Sequence, residues 1–291
     1  MPTIPTLEEV CAAAMRLPCS PALLPRLVEV LEREDAPASD LEAIIALDPA
    51  LAGGTLRLAN SAYMSGGRTV DDLSSAILRL GQKEIYRLAA LSLTSRWMTL
   101  PVEGYRWEPG DYCRHSFCVA VAAEHLATVT GRADPAVAYT AGLLHEIGKL
   151  AVAHACGEHF PAIRICQQEQ QCTWLQAEAQ VLGYDHAEVG GALLEGWRFS
   201  PTLVAAAAHL ENPAAAPAEV LPIMAHVHAA RYLATCMGAG VSEDGFLFSL
   251  NSHLLGEWGF TAEVLDAALP AVLDRVTKVL HDRVTHGAVT L

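Results

Sequence analysis

Aromatic residues are scarce in this chain, 6% of 291, and only 18% of its residues are charged. Apolar residues make up 52%, which excludes a disordered chain and is enough for a large buried core. No apolar run approaches the roughly eighteen residues that a membrane-spanning helix needs. The first residues, "MPTIPTLEEV", place no basic region ahead of an apolar core, so secretion is not expected and the expected compartment is the cytoplasm. Cations are few: 19 Lys and Arg stand against 33 Asp and Glu, for a formal net charge of −14. Nucleic-acid binding requires a basic footprint that displaces counterions. None is visible, so nucleic acid and anionic membrane surfaces are not expected as partners. None of the eight cysteines forms a C-x-x-C pair. That removes the zinc-ribbon and thioredoxin readings and leaves most of the thiols as small buried hydrophobes.

Strand-like alternation is missing as well, whereas helical signals recur throughout. "SPALLPRLVEVLERE" opens with Ser20 as N-cap and Pro21 in the first turn, and Leu23, Leu24, Leu27, Val30 and Leu31 form one stripe. "SDLEAIIALDP" offers a capping box from Ser39 to Glu42 and stops before Pro49. Thr173 and Gln176 repeat the device in "TWLQAEAQVLG", with Gly183 placed to end that helix. The expected fold is all-α.

Residues 96 to 112, "RWMTLPVEGYRWEPGDY", break the alanine and leucine background with Pro, Gly and aromatics. Further breaks fall at "HLENPAAAPAEVLP" and around "GAGVSEDG". The expected division is an N-terminal helical part over 1–97, a connection over 98–110, a helical bundle over 111–238 and a C-terminal helical tail over 239–291. In that tail Val264, Leu265, Ala268, Leu269, Val272 and Leu273 share a stripe that Pro270 is expected to kink. Such a stripe serves to pack on the parent domain or to dock a partner.

Nine of the twelve histidines lie between residues 115 and 228. His115, His145, His186 and His209 fall on separate predicted helices or their ends, the arrangement that builds a metal site inside a bundle. In "AGLLHEIGKL", His145 and Glu146 are neighbours about 100° apart on an expected helix, with Lys149 one turn further on. Imidazole and carboxylate together suit Fe, Mn, Ni or Zn, and a lysine there can hold a phosphate oxygen. The bland alternative is that each histidine is a capped or hydrogen-bonded core residue.

"AGLLHEIGKL" resembles the His-Asp signature of the HD superfamily of metal-dependent phosphohydrolases. Residues 47 to 89, with "NSAYMSGG" and "SSAILRLG", resemble the hallmark segment of HDOD domains, as does "DHAEVGGALLEGWRFSPTLVAAAAHLENP" over 185–213. The resemblance runs from about residue 16 to 235. It implies an N-terminal helical HDOD subdomain packed on an HD-like bundle, in a bacterial signalling or regulatory protein.

Carried across residue by residue, the family's metal pattern falls on His115, on His145 with Glu146 where the family has Asp, and on His186. His209 takes the first place of a His-His pair whose second place is Leu210. The last ligand, an aspartate in the family, falls at Arg231, and a shifted alignment brings in His228. A guanidinium cannot ligate a cation. It can instead pair with Glu146, or join Lys149 in holding a small anionic ligand. The expectation is a degenerate centre with no metal or one divalent ion, in a non-catalytic regulator working through a signalling protein partner or a small anionic ligand. The alternative is a metal-dependent phosphohydrolase acting on a nucleotide or phosphodiester, with Lys149 stabilising negative charge.

Overall fold

The computed structural model describes residues 3–15, 29–30, 37–46, 49–60, 69–98, 102–108, 110–239 and 251–285. Most of the helix expected over 20–34, together with Ser61, Ala62, Gly66 and Gly67, lies outside them. Among the described residues there is no β-strand, only an isolated bridge between Val102 and Trp107. Among the described residues no helix is long and apolar enough to cross a membrane. The all-α expectation holds.

The chain divides into two compact units, Leu17–Trp97 and a larger one of Met1–Arg16 with Met98–Leu291. The first sixteen residues thus cluster with the bundle and not with the N-terminal half. Their helix α1 (Leu7–Met15) packs on two bundle helices and buries Val10 and Ala14.

The smaller unit contains α2 (Ala38–Ile45), α3 (Pro49–Ala59) and most of α4 (Leu73–Met98). The expected Ser39 capping box does not form. The N-cap is Pro37 and makes no side-chain cap bond, so Ser39 already lies in the first turn. Asn60 does more than end α3. Its side-chain amide donates to the Val70 carbonyl and its oxygen accepts from the Val70 N–H, both at 2.8 Å, tying residues 60 and 70 together. Asp72 caps α4 by accepting from Ser75 N–H at 2.7 Å. Ala76, Ile77 and Leu80 are buried as their spacing predicts. Gly81, at φ 76°, interrupts α4 in a conformation that a side chain would strain.

The larger unit is built from α5 (Asp111–Thr130), α6 (Pro135–Leu144), α7 (Ile147–Ala155), α8 (Phe160–Gln170), α9 (Trp174–Leu182), α10 (His186–Gly196), α11 (Pro201–His209), α12 (Leu221–Cys236), α13 (Ser252–Glu257) and α14 (Ala262–Thr285). Helix α5 is central and packs on α6, α12 and α14, while α10 packs on α7 and α11. The capping box of Thr173 and Gln176 forms, and Gly183 ends α9 at φ 87°. Helix α14 buries Leu265, Ala268, Val272 and Val276 but exposes Val264 and Leu273, so its apolar stripe is rotated from the expected one. Pro270 lies within the span of this helix. Of the described cysteines, Cys113, Cys118 and Cys156 are buried, whereas Cys236 is exposed.

Close helix approach explains the glycine in "HEIGK". A Cβ built on Gly148 would stand 1.9 Å from the His186 carbonyl oxygen and 2.6 Å from Gly190 N, both backbone atoms that cannot swing aside. Gly148→Ala therefore has to force α7 from α10. The expected cost is about 1–3 kcal/mol or more, read as a lower urea midpoint at unchanged slope.

Candidate metal centre

His145 and Glu146 do not share a helix. His145 is the C-cap of α6, and Glu146, at φ −119° and ψ 25°, is the N-cap of α7. The chain turns between two helices at this point. The two side chains therefore converge on one point instead of diverging around a helix axis. Burial is nearly complete: His115, His145, Glu146 and Lys149 are 7%, 5%, 4% and 2% exposed.

His115, His145 and Glu146 are able to hold a metal ion, since one ligand atom of each lies within 4.8 Å of the others. Glu146 Oε2 stands 3.9 Å from His115 Nε2 and 3.8 Å from His145 Nε2. Atoms about 2.0–2.2 Å from one ion stand roughly 3–4 Å apart, so the spacing suits a single ion. The proton positions suit it too. His115 Nδ1 lies 3.0 Å from the Ala239 carbonyl and His145 Nδ1 2.7 Å from the Gly142 carbonyl. A carbonyl can only accept, so each ring donates through Nδ1–H and keeps a lone pair on Nε2. Burial lowers the pKa of both imidazoles, His145 well below the usual histidine range, which keeps them neutral. His145 Nε2 and Glu146 Oε2 are buried with no hydrogen-bond donor. Acceptors facing one another without a donor are costly unless a cation or water lies between them.

The other oxygen of Glu146 is fully engaged. Lys149 Nζ and Arg231 Nη2 both reach Oε1 at 2.9 Å, and Arg231 Nη1 also pairs with Glu211. Burial alone would raise the Glu146 pKa, but Lys149 and Arg231 outweigh it and hold the carboxyl well below the usual range. Lys149 also lies over the faces of Tyr105 and Trp107, at 5.6 and 6.0 Å. The two cations expected to cradle an anion thus direct their charge at Glu146 and Glu211.

The remaining candidates separate. His186, first residue of α10, gives its Nδ1 and backbone N–H to Glu178 Oε2 at 2.7 and 2.9 Å. Glu178 Oε1 accepts from the Tyr105 hydroxyl at 2.5 Å. His186 neighbours Lys149 and Glu146 electrostatically but is not one of the three converging ligand groups. His209, half-buried at the end of α11, also stands outside them, and Leu210 beside it is packed in the core. His226 lies 2.6 Å from the Pro222 carbonyl and 2.7 Å from the Thr130 hydroxyl, and His228 accepts from Asn251 N–H at 2.8 Å. Neither takes a ligand position.

Glu178 and Glu211 escape a reading by motif. Glu178 carried one signal, an acid on the buried face shared by Trp174, Ala177 and Leu182. Glu211 looked like an ordinary loop acid, since its partner is 20 residues away.

The HDOD domain model matches residues 17–213, and the chain belongs to the HDOD family. An uncharacterized protein of Treponema pallidum (strain Nichols) is 26% identical over 226 residues, which cover 76% of this chain but 43% of that protein. The chain therefore spans less than half the length of this relative. Among solved structures, an HDOD domain protein of unknown function from Geobacter sulfurreducens superposes with a TM-score of 0.68 at 23% identity, covering 93% of this chain and 95% of that one. A protein of Shewanella amazonensis SB2B, provisionally assigned as a phosphohydrolase, gives 0.65 at 24% identity over 91% and 93%. A Marinobacter aquaeolei VT8 protein, provisionally assigned to signal transduction, gives 0.68 at 20% identity over 91% and 58%. At these identities the likenesses establish the fold.

The buried Glu178–His186 pair makes stability depend on pH. Burial lowers the His186 pKa, yet the Glu178 charge and hydrogen bond outweigh it, and the net shift is above 6.5. Burial raises the Glu178 pKa, but His186 and Tyr105 bring it below 4.5. The share from His186 is complete below pH 6.5 and is lost as pH rises through its raised folded value. The share from Glu178 is complete above pH 4.5 and is lost as pH falls through its lowered one. Glu178→Gln is thus expected to cost about 3 kcal/mol between those limits and less in alkali, measured by urea unfolding at about pH 5.5 and 8.5.

Proposed function

We propose that this HDOD protein is a signal-transduction regulator without hydrolytic turnover, acting through a protein partner. One observation carries this reading. The guanidinium of Arg231 pairs with Glu146 Oε1 and bridges to Glu211, at the position where the resemblance to metal-dependent phosphohydrolases expects an aspartate ligand. Two buried cations, Lys149 and Arg231, already balance two carboxylates, Glu146 and Glu211. The acceptors left over, His115 Nε2, His145 Nε2 and Glu146 Oε2, suit one ion of Fe, Mn, Ni or Zn and not a pair. Hydrolysis by two metals needs both ions, one on the attacking and one on the leaving oxygen.

A net charge of −14 supports a protein partner over nucleic acid. A small anionic ligand held by Lys149 and Arg231 has less support, because binding it would require both cations to leave a buried carboxylate. The signal-transduction assignment of the Marinobacter aquaeolei protein agrees with this reading.

The second reading, a metal-dependent phosphohydrolase acting on a nucleotide or phosphodiester, draws on the three converging ligand groups and on the assignment of the Shewanella amazonensis protein. A bound divalent ion would supply Lewis acidity there. The chain itself would contribute His115, His145 and Glu146 as holders, with Lys149 orienting the carboxylate.

Metal analysis of the purified chain, combined with assays on bis(p-nitrophenyl) phosphate and nucleoside phosphates in added Mn, Fe, Ni or Zn, separates the two. At most one ion per chain is expected, lost in His145→Ala, with no metal-dependent hydrolysis above the buffer rate. Two ions per chain, with turnover abolished in His145→Ala, would falsify the regulatory reading.

A further inference from the structure

We propose that the Ala239 carbonyl couples cation occupancy of the His115–His145–Glu146 centre to the C-terminal segment 251–285. The inference rests on the regulatory reading above and names how the same centre is read out. The His115 ring faces two ways: Nε2 looks into the candidate centre and Nδ1–H reaches Ala239 O at 3.0 Å. Ala239 lies beyond the residues matched by the family model, which end at 213.

The position of that carbonyl is set by the end of α12. Gly238 N–H bonds to Thr235 O and Ala239 N–H to Ala234 O, both at 3.0 Å, with Gly238 at φ 67°. This is the paired closure of a Schellman motif, and it requires a residue at ease with positive φ. It holds the acceptor at the end of the helix that also carries Arg231, the partner of Glu146.

From Ala239 the chain leads to a segment tied to the same bundle. Asn251 N–H donates to His228 Nε2 at 2.8 Å, and the Asn251 side chain caps α13 through Leu254 N–H at 2.9 Å. Arg132 holds the Trp258 carbonyl at 2.8 Å, and Arg275 reaches Glu124 on α5 at 2.7 Å. Leu265 and Val272 of α14 are buried, and α14 packs on α5, which carries His115.

The coupling follows from the chemistry of imidazole. A cation on Nε2 withdraws electron density and makes Nδ1–H a stronger donor, so occupancy tightens the bond to Ala239. The acceptor in turn raises the basicity of Nε2 and strengthens ligation. Linkage makes the effect reciprocal: an ordered C-terminal segment raises cation affinity by the factor through which the cation orders the segment.

Hydrogen exchange on the full chain, with and without Mn2+ or Zn2+, tests this, with binding followed separately by calorimetry. Metal is expected to slow amide exchange about 5-fold or more in peptides covering residues 251–260. In Gly238→Ala the added Cβ meets nothing within 4 Å, so the variant acts through the backbone alone, at a positive φ that a side chain disfavours. It is expected to stay folded by circular dichroism and to bind metal more weakly, with no spread of protection. If metal binds the wild-type chain and exchange in 251–260 is unchanged, the coupling is wrong while the centre stands. If no metal binds, both are wrong. The hydrolysis assay, which decides between regulator and enzyme, is independent of either result.

Discussion

A single buried carboxylate organises this protein. Glu146 sits between two helices with one oxygen shared by Lys149 and Arg231 and the other facing His115 and His145. A lone carboxylate at this depth would be too costly to keep ionised, and the two cations are what hold it charged. Their own burial is tolerable because Glu211 takes the second arm of Arg231 and aromatic faces lie beside Lys149. Helices α5, α7 and α12 are thereby joined at one point, and the close contact of α7 with α10 at Gly148 brings His186 alongside.

This arrangement separates the two halves of what would otherwise be a metal-bridging group. A carboxylate that bridges two ions presents both oxygens to metal. Here one oxygen is given to protein cations, and the coordination offered to solute ions is reduced to two neutral imidazoles and one oxygen. Such a set suits one ion, whereas hydrolysis by two metals needs ligands for two. The same imidazole that faces the centre also donates to the Ala239 carbonyl at the end of α12.

Much of the fold was legible from local chemistry. Thr173 with Gln176, and Gly183, marked helix ends because capping depends on residues three or four apart. Ser39 misled for the same reason. Its spacing to Glu42 satisfied the capping pattern, but the helix starts two residues earlier, behind Pro37. The stripe on α14 was misplaced because periodicity alone does not say which side meets α5, and Val276 replaced Val264 and Leu273 in the buried set. His145 and Glu146 were read as sharing one helix, since nothing local announces the turn between them.

By itself the sequence determined the all-α class, the capped helices and the polar groups that had to find partners inside an apolar bundle. The family resemblance marked His115, His145, Glu146, His186, His209 and Arg231 as belonging to one centre, of which His186 and His209 stand outside the converging ligands. Tertiary structure decided which pairs actually formed: Arg231 with Glu146 and Glu211, His186 with Glu178, His115 with Ala239. The physical reason is separation along the chain. These partners lie 85, 20, 8 and 124 residues apart. Charge and hydrogen bonding act over a few ångströms, so only the packing of helices could say which acid each cation would meet.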